Sequence, residues 1–148
     1  MGWDGHWHGY GWIGSGEEYR KENLRRPGRE PGDPNTLTFL SSPLPPIMTG
    51  HWLLKKRCAA ADRTWTEAKQ AVAWLRKCYE ANPPFVCADG GWAYVDLEVK
   101  IEYALDMLPR GVDATWVHWV QSQALFSHSI VCCPSHHHPE IPCPLPPT

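Results

Sequence analysis

TWVHWVQSQALFSHSIVC, residues Thr115–Cys132, is the stretch on which the fold turns. Val117 and Trp119 share one face of its first half; Phe126 and Ile130 share one face of its second. A repeat of two is the period of a strand, and β-branched and aromatic residues fill both halves. The stretch therefore reads as an antiparallel hairpin. Ser122-Gln123 between the halves has no preference for positive φ, which a two-residue hairpin turn requires, so a longer loop is an equal alternative. On this alternation Trp119 belongs to the core. His128, beside Phe126 and Ile130, is expected as a hydrogen-bonded core histidine, and His118, sharing its face with Trp116 and Val120, as the less buried of the two.

Working upstream, Thr64 and Glu67 have the spacing of a capping box. Ala68, Ala71, Val72, Leu75, Cys78 and Tyr79 then keep helical spacing on one face, until Asn82-Pro83-Pro84 stops the run. The spacing predicts a helix over about residues 65–81, with Trp65 buried at its start. FVCADGGWAYV (Phe85–Val95) reads as two short strands around Asp89-Gly90-Gly91. Asp96 then opens a second helix over about residues 97–108, ended by Pro109 and Gly111. Leu97, Ile101, Ala104, Leu105 and Leu108 form one apolar stripe, and Val99, Tyr103 and Met107 form another. Glu98, Glu102 and Asp106 read as a solvated row. Two stripes imply two neighbours. HWLLKKRCAAADR (His51–Arg63) suits a strand or a short helix equally.

The N-terminal third looks different. Residues 1–19 mix glycine with Trp3, Trp7, Tyr10 and Trp12, and show no helical period. His6, Trp7 and His8 alternate as a strand would, over a short span. Pro27, Pro31 and Pro34 break the charged segment that follows, and SSPLPP (Ser41–Pro46) favours extended geometry. The expected organisation is an irregular arm over 1–46, a compact domain over 47–133, and a Cys/His/Pro-rich tail over 134–148. The fold class is α+β: two helices on a small, mainly antiparallel sheet with a C-terminal hairpin.

Composition narrows the function classes. The formal net charge is −2, and the basic runs Arg25-Arg26 and Lys55-Lys56-Arg57 are short, which argues against nucleic acid. No apolar run is long enough to span a bilayer, and no basic region followed by an apolar stretch opens the sequence. A cytoplasmic protein is expected, with its six cysteines reduced. Three disulfides are the alternative.

The sharpest chemical signal is Cys132-Cys133-Pro134-Ser135-His136-His137-His138, followed by Cys143. Cys133-Pro-Ser-His136 has the C-P-x-H form of a zinc knuckle, and Cys143 with His138 would complete tetrahedral coordination. The competing reading is a solvated tail. Nucleophilic motifs are missing, although Cys87 with His118 or His128 offers a Cys–His pair. Nine tryptophans need burial or partners. Trp3, Trp7 and Trp12 on the arm, and the stripe of Val99, Tyr103 and Met107, suit contacts with a protein partner or a second copy, and an arm folded back on its own domain is an equal alternative. The reading is thus a small binding or assembly protein, stabilised by zinc. A small enzyme with an open metal site or a Cys–His pair is the alternative.

Overall fold

A computed structural model describes residues 3–30, 32–85 and 96–148. The hairpin is present as β3 (Ala114–Trp119) and β4 (Leu125–Cys133), paired antiparallel from Ala114↔Ile130 to Trp119↔Leu125. Its connection is the longer loop: Val120 N–H donates to Ala124 O at 2.9 Å, and Gln123 takes a left-handed φ of 66°.

The faces of β3 are reversed from the sequence reading. Trp116 and His118 are buried, whereas Val117 is 41% and Trp119 42% exposed. Alternation shows that two faces differ, but not which is covered. Two helices, α3 (Ala68–Ala81) and α4 (Leu97–Met107), decide it by supplying Ala71, Val72, Leu75 and Ala104 to the core that holds Trp116. His128 is buried with Phe126 and Ile130, as expected, but its Nδ1 has no hydrogen-bond partner among the described residues, and His118 is buried no less than His128.

The larger departure is the N-terminal segment. His6–Gly14 is a strand, β1, and it lies inside the sheet, whose order is β2-β1-β4-β3 with β2 at Thr64–Trp65. Residues 1–46 therefore do not form an irregular arm. They also contain two short helices, α1 (Gly16–Tyr19) and α2 (Pro34–Ser41). The glycines of residues 1–19 argue against a helix but not against a strand, and Gly9 is where the sheet needs no side chain: a Cβ there would stand 2.8 Å from the rings of Trp65 and Trp74. The indoles fill the volume that a side chain would have occupied.

The predicted capping box is not formed. Thr64 is in β2, and α3 starts at Ala68 behind Glu67, which makes no side-chain cap. The Thr64 hydroxyl instead donates to Ala60 O at 2.8 Å. The helix ends at Asn82, as Pro83 and Pro84 require. Gly111, at φ 84°, closes the turn after α4. His51–Arg63 is neither strand nor α-helix but a succession of 3-10 turns. The strands read at FVCADGGWAYV fall on residues of which 86–95 lie outside the described ones.

Both faces of β4 are covered. Phe126, Ile130 and Cys132 join the helix-side core, while Val131 and Cys133 pack with Tyr10, Trp52 and Leu53 on the other side. Trp52 and Leu53 come from the 3-10 segment, which is anchored by a buried cation. Lys55 Nζ donates to Phe39 O at 2.7 Å and Ser42 O at 2.6 Å, capping the end of α2.

Leu75 is fully buried and Leu37 is 71% exposed. Leu75→Ala should therefore destabilise by about 2–5 kcal/mol, and Leu37→Ala by no more than about 0.5 kcal/mol, in urea unfolding. A second expectation concerns His128, stacked on Phe126 at 4.0 Å. Burial pushes its pKa down to about 4. The unfolded chain then binds the extra proton between its ordinary value near 6.5 and about 4. This stability is complete above pH ~6.5 and is lost as pH falls toward 4. His128→Gln should flatten that part of the stability–pH curve.

Candidate metal centre

The register of the sheet assembles a cluster from both ends of the chain. In β1, His6 and His8 are two residues apart and so project from the same face. Antiparallel pairing sets His6 opposite Cys133 on one side, and His8 opposite Thr64 on the other. Directly paired residues share a face, so Cys133 and Thr64 join the two imidazoles. Cys143 arrives from the C-terminal tail. That tail folds against the sheet through Ile141, and His138 N–H donates to Ser135 Oγ at 3.3 Å. Gly50 permits the approach, since a Cβ there would stand 2.7 Å from Ser135 Oγ.

The donor atoms of His6, His8, Cys133 and Cys143 all lie within 4.8 Å of one another. His6 Nε2 and His8 Nε2 are 3.0 Å apart. Cys143 Sγ is 3.4 Å from the first nitrogen and 3.7 Å from the second. A tetrahedral zinc with ordinary bond lengths keeps its nitrogen and sulfur ligands about 3.3–3.8 Å apart. The two distances from Cys143 Sγ fall within that range, and the two imidazole nitrogens lie slightly closer together than it. The group could hold a metal ion.

Thr64 sets the tautomer of His8. Its hydroxyl proton goes to Ala60 O, which leaves a lone pair for His8 Nδ1 at 3.0 Å. Nδ1 is thereby the protonated nitrogen, and Nε2 turns a bare lone pair toward the cluster. Such an outer hydrogen bond is the usual support of a metal-bound imidazole. Burial acts in the same direction: it lowers the pKa of His6, and with the His6 charge it lowers that of His8 to about 4. Both rings are thus neutral, the state a metal needs. Cys133 is held as a thiol, pushed up to about 12 by burial and by Cys143 beside it. A cation in the cluster would reverse that preference.

Of the four ligands read from the sequence, the structure brings together Cys133 and Cys143. His136 and His138 are placed elsewhere. The His136 ring packs edge-on against His137 at 5.0 Å, and the His138 ring lies 4.6 Å from that of His51. His6 and His8 stand where those two were expected. Their signal was the H-x-H alternation in residues 6–8, and only pairing with β4 shows what that alternation faces.

The residues read as contact surface divide in the same way. Trp7 is buried and donates its indole N–H to Leu108 O at 3.2 Å; Trp3 packs on it at 5.3 Å. Trp12 stacks on Tyr19 at 5.8 Å. These tryptophans belong to the fold. Val99 is exposed, Tyr103 is 62% exposed and Met107 is half-buried, so that stripe does face outward. His118 Nε2 lies 2.6 Å from Asn82 O, and Cys87 is outside the described residues.

No protein-family model, curated protein or solved structure matches this chain. No helix among the described residues is long and apolar enough to cross a membrane.

The hydrogen bond from His8 to Thr64 gives a direct check. Long-range proton–nitrogen spectra should show His8 protonated at Nδ1, and Thr64→Val should release that preference. A wild-type His8 carrying its proton on Nε2 would show that the donors do not face a common centre.

Proposed function

We propose that this chain is a small binding protein built around one structural zinc ion, held by His6, His8, Cys133 and Cys143. The observation that carries the reading is the convergence of two imidazole nitrogens and two thiol sulfurs within 4.8 Å. Two nitrogens and two sulfurs in a compact, largely buried cluster suit zinc, whereas calcium and magnesium prefer oxygen.

A structural role follows from the number of donors. Catalytic zinc sites use three protein ligands and keep one position open for water or substrate, while structural sites are closed by four. The four donors here also join β1, the end of β4 and the tail, so binding energy at the site is folding energy. The ion would hold a binding surface in place rather than take part in a reaction. Val99 and Tyr103, exposed on α4, are the apolar side chains read for protein contact that remain available for it.

Protein purified without a His tag should contain about one zinc per chain by elemental analysis. Strong chelation should lower its melting temperature by roughly 10 °C or more, or abolish cooperative melting. His6→Asn and Cys143→Ser should each remove the zinc. Thr64→Val should keep it with affinity lowered about 10–100-fold. His136→Ala with His138→Ala should leave the zinc content unchanged. A wild-type protein with no bound zinc and a melting curve indifferent to chelator would overturn the reading.

A further inference from the structure

β2 pairs only with Trp7 and His8, whereas β1 continues to Gly14. Beyond His8 the edge of β1 turned away from β4 has no strand beside it among the described residues, and a cavity of about 390 Å³ opens there. Tyr10 and Trp12 from β1, Trp52 and Arg63 from the 3-10 segment, Trp74 from α3 and His128 from β4 all line it. Gly11 makes this arrangement possible, since a Cβ at that position would collide with the His128 ring.

We infer that this cavity binds a small planar aromatic carboxylate. The walls carry flat rings: Tyr10 stacks on Trp52 at 4.8 Å, and Trp74 lies 5.8 Å from His128. Trp12 and Trp74, both half-buried, leave indole surface at the opening, while Tyr10 and Trp52 are buried and stacked on each other; such a setting favours a flat ring system, which gains from both burial and stacking. The volume suits a ligand of one or two fused rings and falls within the range of small-molecule sites.

The polar groups select an anion. Arg63 makes no ion pair among the described residues. Its guanidinium is held by backbone carbonyls, with Nε donating to Gly9 O at 3.1 Å and Nη2 to Cys58 O at 2.9 Å. Those bonds use two of its five N–H groups, so three donors and a whole positive charge remain. The Tyr10 hydroxyl adds a further donor: the residue is 1% exposed and the oxygen has no partner. A buried hydroxyl without a partner costs free energy that a ligand oxygen would recover. An aromatic cage alone would also suit a quaternary ammonium, but the fixed charge of Arg63 repels a cation. A carboxylate satisfies guanidinium and hydroxyl together.

The test uses the full chain as purified, with 1-naphthoate and its neutral relative 1-naphthamide as probes. Indole N–H signals of Trp12, Trp52 and Trp74, assigned by single Trp→Phe replacements, are followed during each titration. Naphthoate should shift all three saturably, with at least about tenfold tighter binding than the amide. Arg63→Gln should erase the preference for the acid, Arg63→Lys should retain part of it, and Tyr10→Phe should weaken naphthoate binding severalfold. If Arg63→Gln does not fold, the acid–amide comparison on the wild type and Tyr10→Phe still decides. Absence of a saturable shift at these indoles up to about 10 mM naphthoate, or equal affinity for acid and amide, would overturn the proposal. Zinc content is read separately on the same sample, so a failure here does not bear on the metal centre.

Discussion

Strand β4 is buried along its whole length, and that one constraint organises the protein. A buried backbone must place every N–H and C=O in a hydrogen bond, and a strand covered on both faces must find those partners at its two edges. β3 supplies one edge through the hairpin. The other edge needs a second strand of matching length, and β1 fills it with nine paired residues, His6↔Cys133 through Gly14↔Leu125. Removing β1 would leave a row of buried polar groups without partners, which is costlier than the loss of any one side chain. The glycine-rich opening of the chain is therefore part of the core architecture.

The chemistry follows from that pairing. An antiparallel register fixes which side chains share a face, so His6, His8 and Cys133 are brought together by backbone hydrogen bonds before any metal is involved. Thr64 sits opposite His8 for the same reason, on the strand that flanks β1 on its other side. The same sheet leaves room for a second feature. Because β2 is only two residues long, the rest of β1 has no partner on that edge among the described residues, and the aromatic cavity forms there. The His/Cys cluster and the aromatic cavity thus depend on successive parts of one strand.

The segments without regular structure obey the same rule about buried backbone. Lys55 and Arg25 are both buried cations, and both direct their donors at main-chain carbonyls: Lys55 at Phe39 and Ser42, Arg25 at Tyr19 and Pro45. Proline-rich stretches have few N–H groups to pair with carbonyls, so side-chain donors must take their place. Burial pulls the Lys55 pKa down to about 8, and the two carbonyls and the nearby Phe39 ring at 4.3 Å offset the cost of its charge.

What the sequence by itself determined were the features carried by local chemistry. The apolar spacing of Ala71, Val72 and Leu75 with the stop at Pro83 located α3, and the alternation around Phe126 and Ile130 located the hairpin. The α+β class followed from those two elements. Cys133 and Cys143 were legible as candidate ligands from residue type and the C-P-x-H spacing, and the structure places both in a group that could hold a metal ion. Only the tertiary structure decided which face of β3 was covered, because a period of two is symmetric and the choice lies with the helices that pack there. Only it turned Thr64 from a helix cap into the partner of His8. It also converted residues 6–14 from an arm into a central strand, because Gly9, Gly11 and Gly14 interrupt the strand preference of Trp7, Tyr10, Trp12 and Ile13 and pairing with β4 restores it. His6 and His8 lie more than a hundred residues from Cys133 and Cys143 in sequence, and no local spacing carries that pairing. It arises from hydrogen bonds between distant strands, and so it becomes visible only when the sheet closes.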